Sequence, residues 1–126
     1  MKVIIAGSRD ITYYSLAERA VAAFREQALF DITEVVCGEA PRGVDQLGKT
    51  WARRNNIPVA SFPADWNTHG KKAGVLRNIE MGNYADGLIA VTNGSRGTEH
   101  IIRIARSKGL LVTTLLVDPI TKQVTA

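Results

Sequence analysis

At 126 residues the chain has room for one hydrophobic core. Its 45% apolar and 22% charged content excludes disordered and fibrous classes, and no apolar run approaches the ~18 residues of a membrane span. The net charge of +4 is uneven: residues 42–77 hold seven basic residues against two acids, residues 96–108 hold four against one, and residues 1–41 are net acidic. That pattern suits an anionic partner, or else a set of solvated helix faces.

The first seven residues, Met1-Lys2-Val3-Ile4-Ile5-Ala6-Gly7, are too short and too early for a signal peptide, so the expected compartment is the cytoplasm. The single cysteine, Cys37, excludes an internal disulfide and a cysteine-based zinc site. It ends an apolar strand and reads as a small hydrophobe.

Residues 3–6 are a short apolar run closed by Gly7, the mark of a strand buried on both faces. Ser15-Leu16-Ala17-Glu18 has capping-box spacing, and Leu16, Ala20, Val21 and Phe24 predict a helix over residues 15–29. Residues 34–37 are a second strand. Val44, Leu47, Gly48, Trp51 and Ala52 mark a second helix with Trp51 in the core.

Residues 59–62 are a third strand, followed by a loop over residues 63–70. A third helix is predicted from residue 71 to about 84, with Leu76 and Ile79 inward. Residues 87–91 are a fourth strand. Residues 98–108 are a fourth helix with Ile101, Ile104 and Ala105 inward, stopped by Gly109. Residues 110–117 are a last strand, and the tail after about residue 118 is expected to be loose.

Strands alternating with helices predict one α/β domain over residues 1–126, a Rossmann-like three-layer fold. It has about five mostly parallel strands and helices on both faces. Ligands in such sheets sit past the carboxyl ends of the strands, where strand order reverses. The loops that follow the strands are therefore the candidate site.

Asn93-Gly94-Ser95-Arg96-Gly97-Thr98 combines two glycines, two hydroxyls and an arginine ahead of a helix N-terminus, which suits phosphate or ribose contact. Gly38-Glu39-Ala40-Pro41-Arg42-Gly43 is either a second phosphate loop or a turn into a helix, with Glu39 unfavourable to an anion. Neither ends in the Gly-Lys-Ser/Thr of a Walker A loop, and neither fits Gly-x-Gly-x-x-Gly. Arg9 is read as a ligand contact, against a salt bridge with Asp10. Asp45 caps and braces its loop, or meets a ribose hydroxyl, or acts as an acid. Trp66 stacks on a base or plugs the core. His69 and His100 stand alone, no Asp/Glu/His set has metal-ligand spacing, and neither a metal nor another cofactor is expected.

Taken together, Gly7-Ser8-Arg9, the Gly38 to Asp45 stretch, Phe62-Pro63-Ala64-Asp65-Trp66, Gly70-Lys71-Lys72-Ala73-Gly74 with Arg77-Asn78 and Met81, Ala85-Asp86 and the residues 93–98 loop resemble the YspA/YpsA-related branch of the SLOG superfamily. That superfamily includes the Lonely Guy phosphoribohydrolases and the DprA/Smf DNA-processing proteins. The resemblance implies binding of a nucleotide or nucleotide-derived phosphate ligand, as in a sensor or sequestering domain, and suggests a homo-oligomer. The ligand-binding set it implies is Gly7, Ser8, Arg9, Gly38, Arg42, Gly43, Asp65, Trp66, Arg77 and residues 93–98. Arg77 and Asp45 are the candidates for a catalytic role.

Lonely Guy enzymes hydrolyse the N-glycosidic bond of nucleoside monophosphates. Arg77, Met81, Gly94, Gly97 and Thr98 match their signature, with Asn78 in place of a lysine and Asn93 in place of a glycine. The family's catalytic glutamate falls on Ile101, which can neither stabilise a ribosyl cation nor activate water. A hydrolase would need another acid, and Asp45, Glu39, Glu80 and Asp10 are the candidates. The DprA-like match, through Gly7-Ser8-Arg9 and Ala40 to Asp45, implies single-stranded DNA binding, but 6% aromatic content leaves few stacking platforms.

Overall fold

In each central strand apolar side chains fill both faces, and period-two alternation divides them between two cores. In the computed structural model, which describes residues 1–124, Val3, Ile5, Val35, Ile89 and Val91 face one core, and Ile4, Ala6, Val36, Leu88 and Ala90 face the other. The strands are β1 (Lys2–Gly7), β2 (Glu34–Cys37), β3 (Val59–Ser61), β4 (Gly87–Thr92) and β5 (Leu111–Leu116). All pair in parallel, in the order β3-β2-β1-β4-β5. This is the Rossmann-like α/β fold. The order reverses between β1 and β4, which pair from Val3 opposite Gly87 to Gly7 opposite Val91.

Helices α1 (Tyr14–Gln27) and α2 (Val44–Arg54) cover the first core, where Phe24 and Trp51 are buried. Helices α4 (Ala73–Tyr84) and α5 (Arg96–Ser107) cover the second, with Met81, Ile101, Ile102 and Ala105. They pack so closely that a Cβ on Gly82 would lie 2.6 Å from Ile104 Cγ2. A short helix α3 (Trp66–His69) and a 3-10 turn (Gly70–Lys72) lead into α4.

Four local expectations are corrected. Ser15 does not cap α1: the cap position is Tyr13, without a side-chain bond, because Tyr14 already packs on the core as the first helical residue, under Arg54. The loop over residues 63–70 contains α3, started by Asp65, whose carboxylate accepts from Thr68 N at 3.1 Å. Ile79 faces solvent, and Asn78 takes the inward position instead. Beyond residue 118 the chain turns back rather than hanging loose: Asp118 N donates to Gln123 O at 2.8 Å, and Val117 bridges Val124. The last two residues of that tail, 125–126, lie outside the described residues. No described helix is long and apolar enough to cross a membrane.

Candidate functional site

A cleft of about 810 Å³ opens at the carboxyl end of the sheet, between the loops after β1 and β4. One buried serine behind it braces the two loops. Ser8, 1% exposed, donates to Asn93 Oδ1 at 2.8 Å and accepts from Asn93 N at 3.1 Å. It also lies 3.0 Å from Ser95 Oγ, which lies 2.8 Å from Thr98 Oγ1. The hydroxyls of Ser8 and Ser95, read from sequence as ligand contacts, thus join the two loops. Asn93 also reaches across to the loop after β1, its Nδ2 donating to Asp10 at 2.8 Å.

That arrangement leaves the start of α5 open. Ser95 stands at the cap position, yet its side chain does not cap the helix. Among the described residues, no backbone or side-chain acceptor meets the N–H of Arg96, Gly97 or Thr98. Free first-turn amides and the positive end of the helix dipole together favour an anion. Arg9 and Arg96 line the same cleft, both exposed, and Arg9 makes no salt bridge to Asp10.

The opposite wall comes from the loop after β2, from α2 and from α4. Arg77 Nη1 donates to Gly38 O, tying α4 to the loop after β2. Asp45, 6% exposed, accepts from Ala40 N at 3.0 Å through one oxygen; the other has no hydrogen-bond partner among the described residues. Burial pushes the Asp45 carboxyl above its ordinary 3.8, against the lowering effect of the Ala40 N–H and of Arg77 and Arg9. Glu39 turns away from the cleft and pairs with Lys49 at 2.8 Å, so it does not oppose an anion there. Gly43 has φ +85°, and a Cβ on it would lie 2.4 Å from Arg9 Cα. The sequence uses glycine there because the backbone of one loop presses on the other.

Of the residues singled out from sequence, Gly7, Arg9, Arg42, Asp45, Trp66, Arg77, Asn93, Ser95, Arg96, Gly97 and Thr98 line the cleft. Ser8, Gly38, Gly43, Asp65 and Gly94 do not, and act in its frame. Trp66 is 54% exposed, so it does not plug the core. Of the acids considered for hydrolysis, Asp45 and Asp10 line the cleft, whereas Glu39 and Glu80 do not. Sequence reasoning missed Lys71, Asn78, His100 and Arg103, which also line it. The i, i+4, i+7 spacing of Arg96, His100 and Arg103 was the available signal. Six basic side chains thus face two acidic ones across the cleft.

Ile101 reaches the wall at 1% exposure, and its apolar side chain offers neither an acid nor a base there. Cys37 lies beneath the cleft, its thiol pushed up to about 12 chiefly by burial, which leaves it unreactive. Among the described residues, no group of three His, Cys, Asp or Glu side chains is placed to hold a metal.

A family model described as the YspA, cpYpsA-related SLOG family matches residues 1–69, which carry the loops after β1 and β2. Similarity continues beyond that segment. The chain is 39% identical over 118 residues to the Gene 61 protein of Mycobacterium phage D29, across 88% of this chain and 93% of the phage protein. No solved structure matches.

Proposed function

Because the chain belongs to the YspA, cpYpsA-related SLOG family, we propose that it binds a nucleotide or nucleotide-derived phosphate ligand in the β1/β4 cleft. The observation that carries this reading is the uncapped start of α5. Three unpartnered amides there meet Arg9 and Arg96 in one crevice. The phosphate sits on those amides, with the arginines supplying charge-assisted bonds. The free Asp45 oxygen accepts from a sugar hydroxyl, and the exposed Trp66 ring offers a stacking face for a base. Ile101 in the wall favours binding without glycosidic hydrolysis.

A thermal-shift panel of nucleoside mono- and diphosphates and ADP-ribose tests the reading. A ligand of micromolar affinity at millimolar concentration stabilises the fold by RT ln(1 + [L]/Kd), on the order of 4 kcal/mol, an easily visible shift. Silence across the panel would rule the reading out. Release of free base from a nucleoside monophosphate would show instead that Asp45 or Asp10 acts as an acid.

A further inference from the structure

Arg77 fixes more than the loop after β2. Its guanidinium only donates, so the Asn78 side-chain atom 3.0 Å from Arg77 Nε is the amide oxygen. The Asn78 nitrogen is thereby turned the other way, 3.4 Å from Gly97 O and 3.0 Å from His100 Nδ1. An amide nitrogen offers two hydrogens and no acceptor, so both neighbours accept. His100 Nδ1 is then the bare ring nitrogen, and a neutral imidazole carries its one hydrogen on Nε2. His100 lines the cleft, and with Nδ1 turned to Asn78 its Nε2 has no partner among the described residues.

We infer that the Arg77–Asn78–His100 relay presents the His100 Nε2–H to the cleft as a fixed, neutral donor for an uncharged oxygen of the bound ligand. His100 lies two to four residues after the open amides of Arg96, Gly97 and Thr98, about 3–6 Å along α5. In a nucleotide whose phosphate occupies those amides, the sugar falls at that distance. Burial and the neighbouring Arg103 hold the imidazole below its ordinary 6.5, which keeps the ring neutral at pH 7.5. Asn78, 6% exposed, has both ends satisfied only in this orientation, which accounts for a polar residue on the inward face of α4. The ligand half of the inference rests on the nucleotide reading above; the relay itself does not.

Two measurements decide it. In a His69→Gln background, which leaves His100 as the single histidine, nitrogen-15 NMR of the free protein at pH 7.5 is expected to show Nδ1 bare and Nε2 protonated. Asn78→Asp replaces the donor by an acceptor and is expected to move the proton to Nδ1. A protonated Nδ1 in the presence of Asn78 overturns the relay. Binding is then measured with adenosine 5′-monophosphate, ribose 5-phosphate and inorganic phosphate. His100→Ala is expected to weaken the first two about three- to tenfold and to leave inorganic phosphate unchanged. His100→Gln, whose amide nitrogen reaches the Nε2 position, restores binding, whereas His100→Asn does not. Equal loss for all three probes, or loss for none, overturns the role of Nε2–H. If none of the three binds the wild-type protein, the ligand half falls, the wider nucleotide panel still decides the nucleotide reading, and the tautomer still decides the relay.

Discussion

The side chain of Ser8 and the backbone and side chain of Asn93 hold one another across the β1/β4 reversal, with contacts of 2.8 and 3.1 Å through one buried hydroxyl. Ser8→Ala leaves Asn93 N–H and Oδ1 without that partner. The expected cost is about 1–3 kcal/mol of fold stability, read from chemical denaturation. Ligand affinity should fall as well, because the loop after β4 loses its anchor. A variant of unchanged stability that still lost affinity would mean that Ser8 touches the ligand directly.

Gly97 and Gly43 predict opposite outcomes from similar substitutions. A Cβ on Gly97 meets no atom within 4 Å, because the position opens into the cleft. Gly97→Val should therefore keep the fold and block the cleft, measured as loss of binding at a nearly unchanged melting temperature. Gly43→Ala forces a side chain onto φ +85° and into the Arg9 backbone at 2.4 Å. It should lower the melting temperature before any ligand is added.

Arg9 is exposed and forms no salt bridge among the described residues, so Arg9→Ala removes charge without removing packing. Phosphate binding should weaken about ten- to a hundredfold, from the roughly 1.5–3 kcal/mol of a charge-assisted bond, with fold stability little changed. Calorimetric titration of the variant beside the wild type checks both halves. Affinity that persists in Arg9→Ala would move the phosphate away from the α5 start.

The sheet was legible because its strands are short, apolar on both faces and punctuated by glycine: Val3 to Ala6 and Gly87 to Val91 can sit nowhere but in the middle of a parallel sheet. The loops of the cleft were legible because glycine, serine and arginine after such strands have few structural uses. What periodicity could not read is where polar pairing overrides it. Helix α4 turns Asn78 inward and Ile79 outward, because the Asn78 amide is committed to Arg77 and His100. His100 looked isolated in sequence for the same reason, since its partner is 22 residues away on another helix. That the hydroxyls of Ser8 and Ser95 lie 3.0 Å apart and join two loops is beyond what a residue list can show.

Asp45 tests the balance between stability and binding. Its carboxyl is buried in the first turn of α2, and burial outweighs the Ala40 N–H and the two arginines that favour its charge. Its folded pKa thus lies above the unfolded value near 3.8, so the folded state holds the proton more tightly. Between 3.8 and the folded value, stability falls as pH rises; above the folded value the cost is constant. Asp45→Asn keeps an oxygen for Ala40 N–H and removes the charge. It should raise the unfolding midpoint at pH 7 and flatten its dependence on pH through that acidic window. In the cleft the same change should tighten inorganic phosphate, by removing a negative charge beside Arg9 and Arg77. It should weaken ribose 5-phosphate if the free oxygen accepts a sugar hydroxyl, because a neutral amide oxygen is the poorer acceptor. Denaturation between pH 4 and 8, with both ligands titrated at pH 7, separates the effects. A lower midpoint at pH 7 would show that the charge stabilises the loop after β2. Parallel changes for the two ligands would remove Asp45 from sugar recognition.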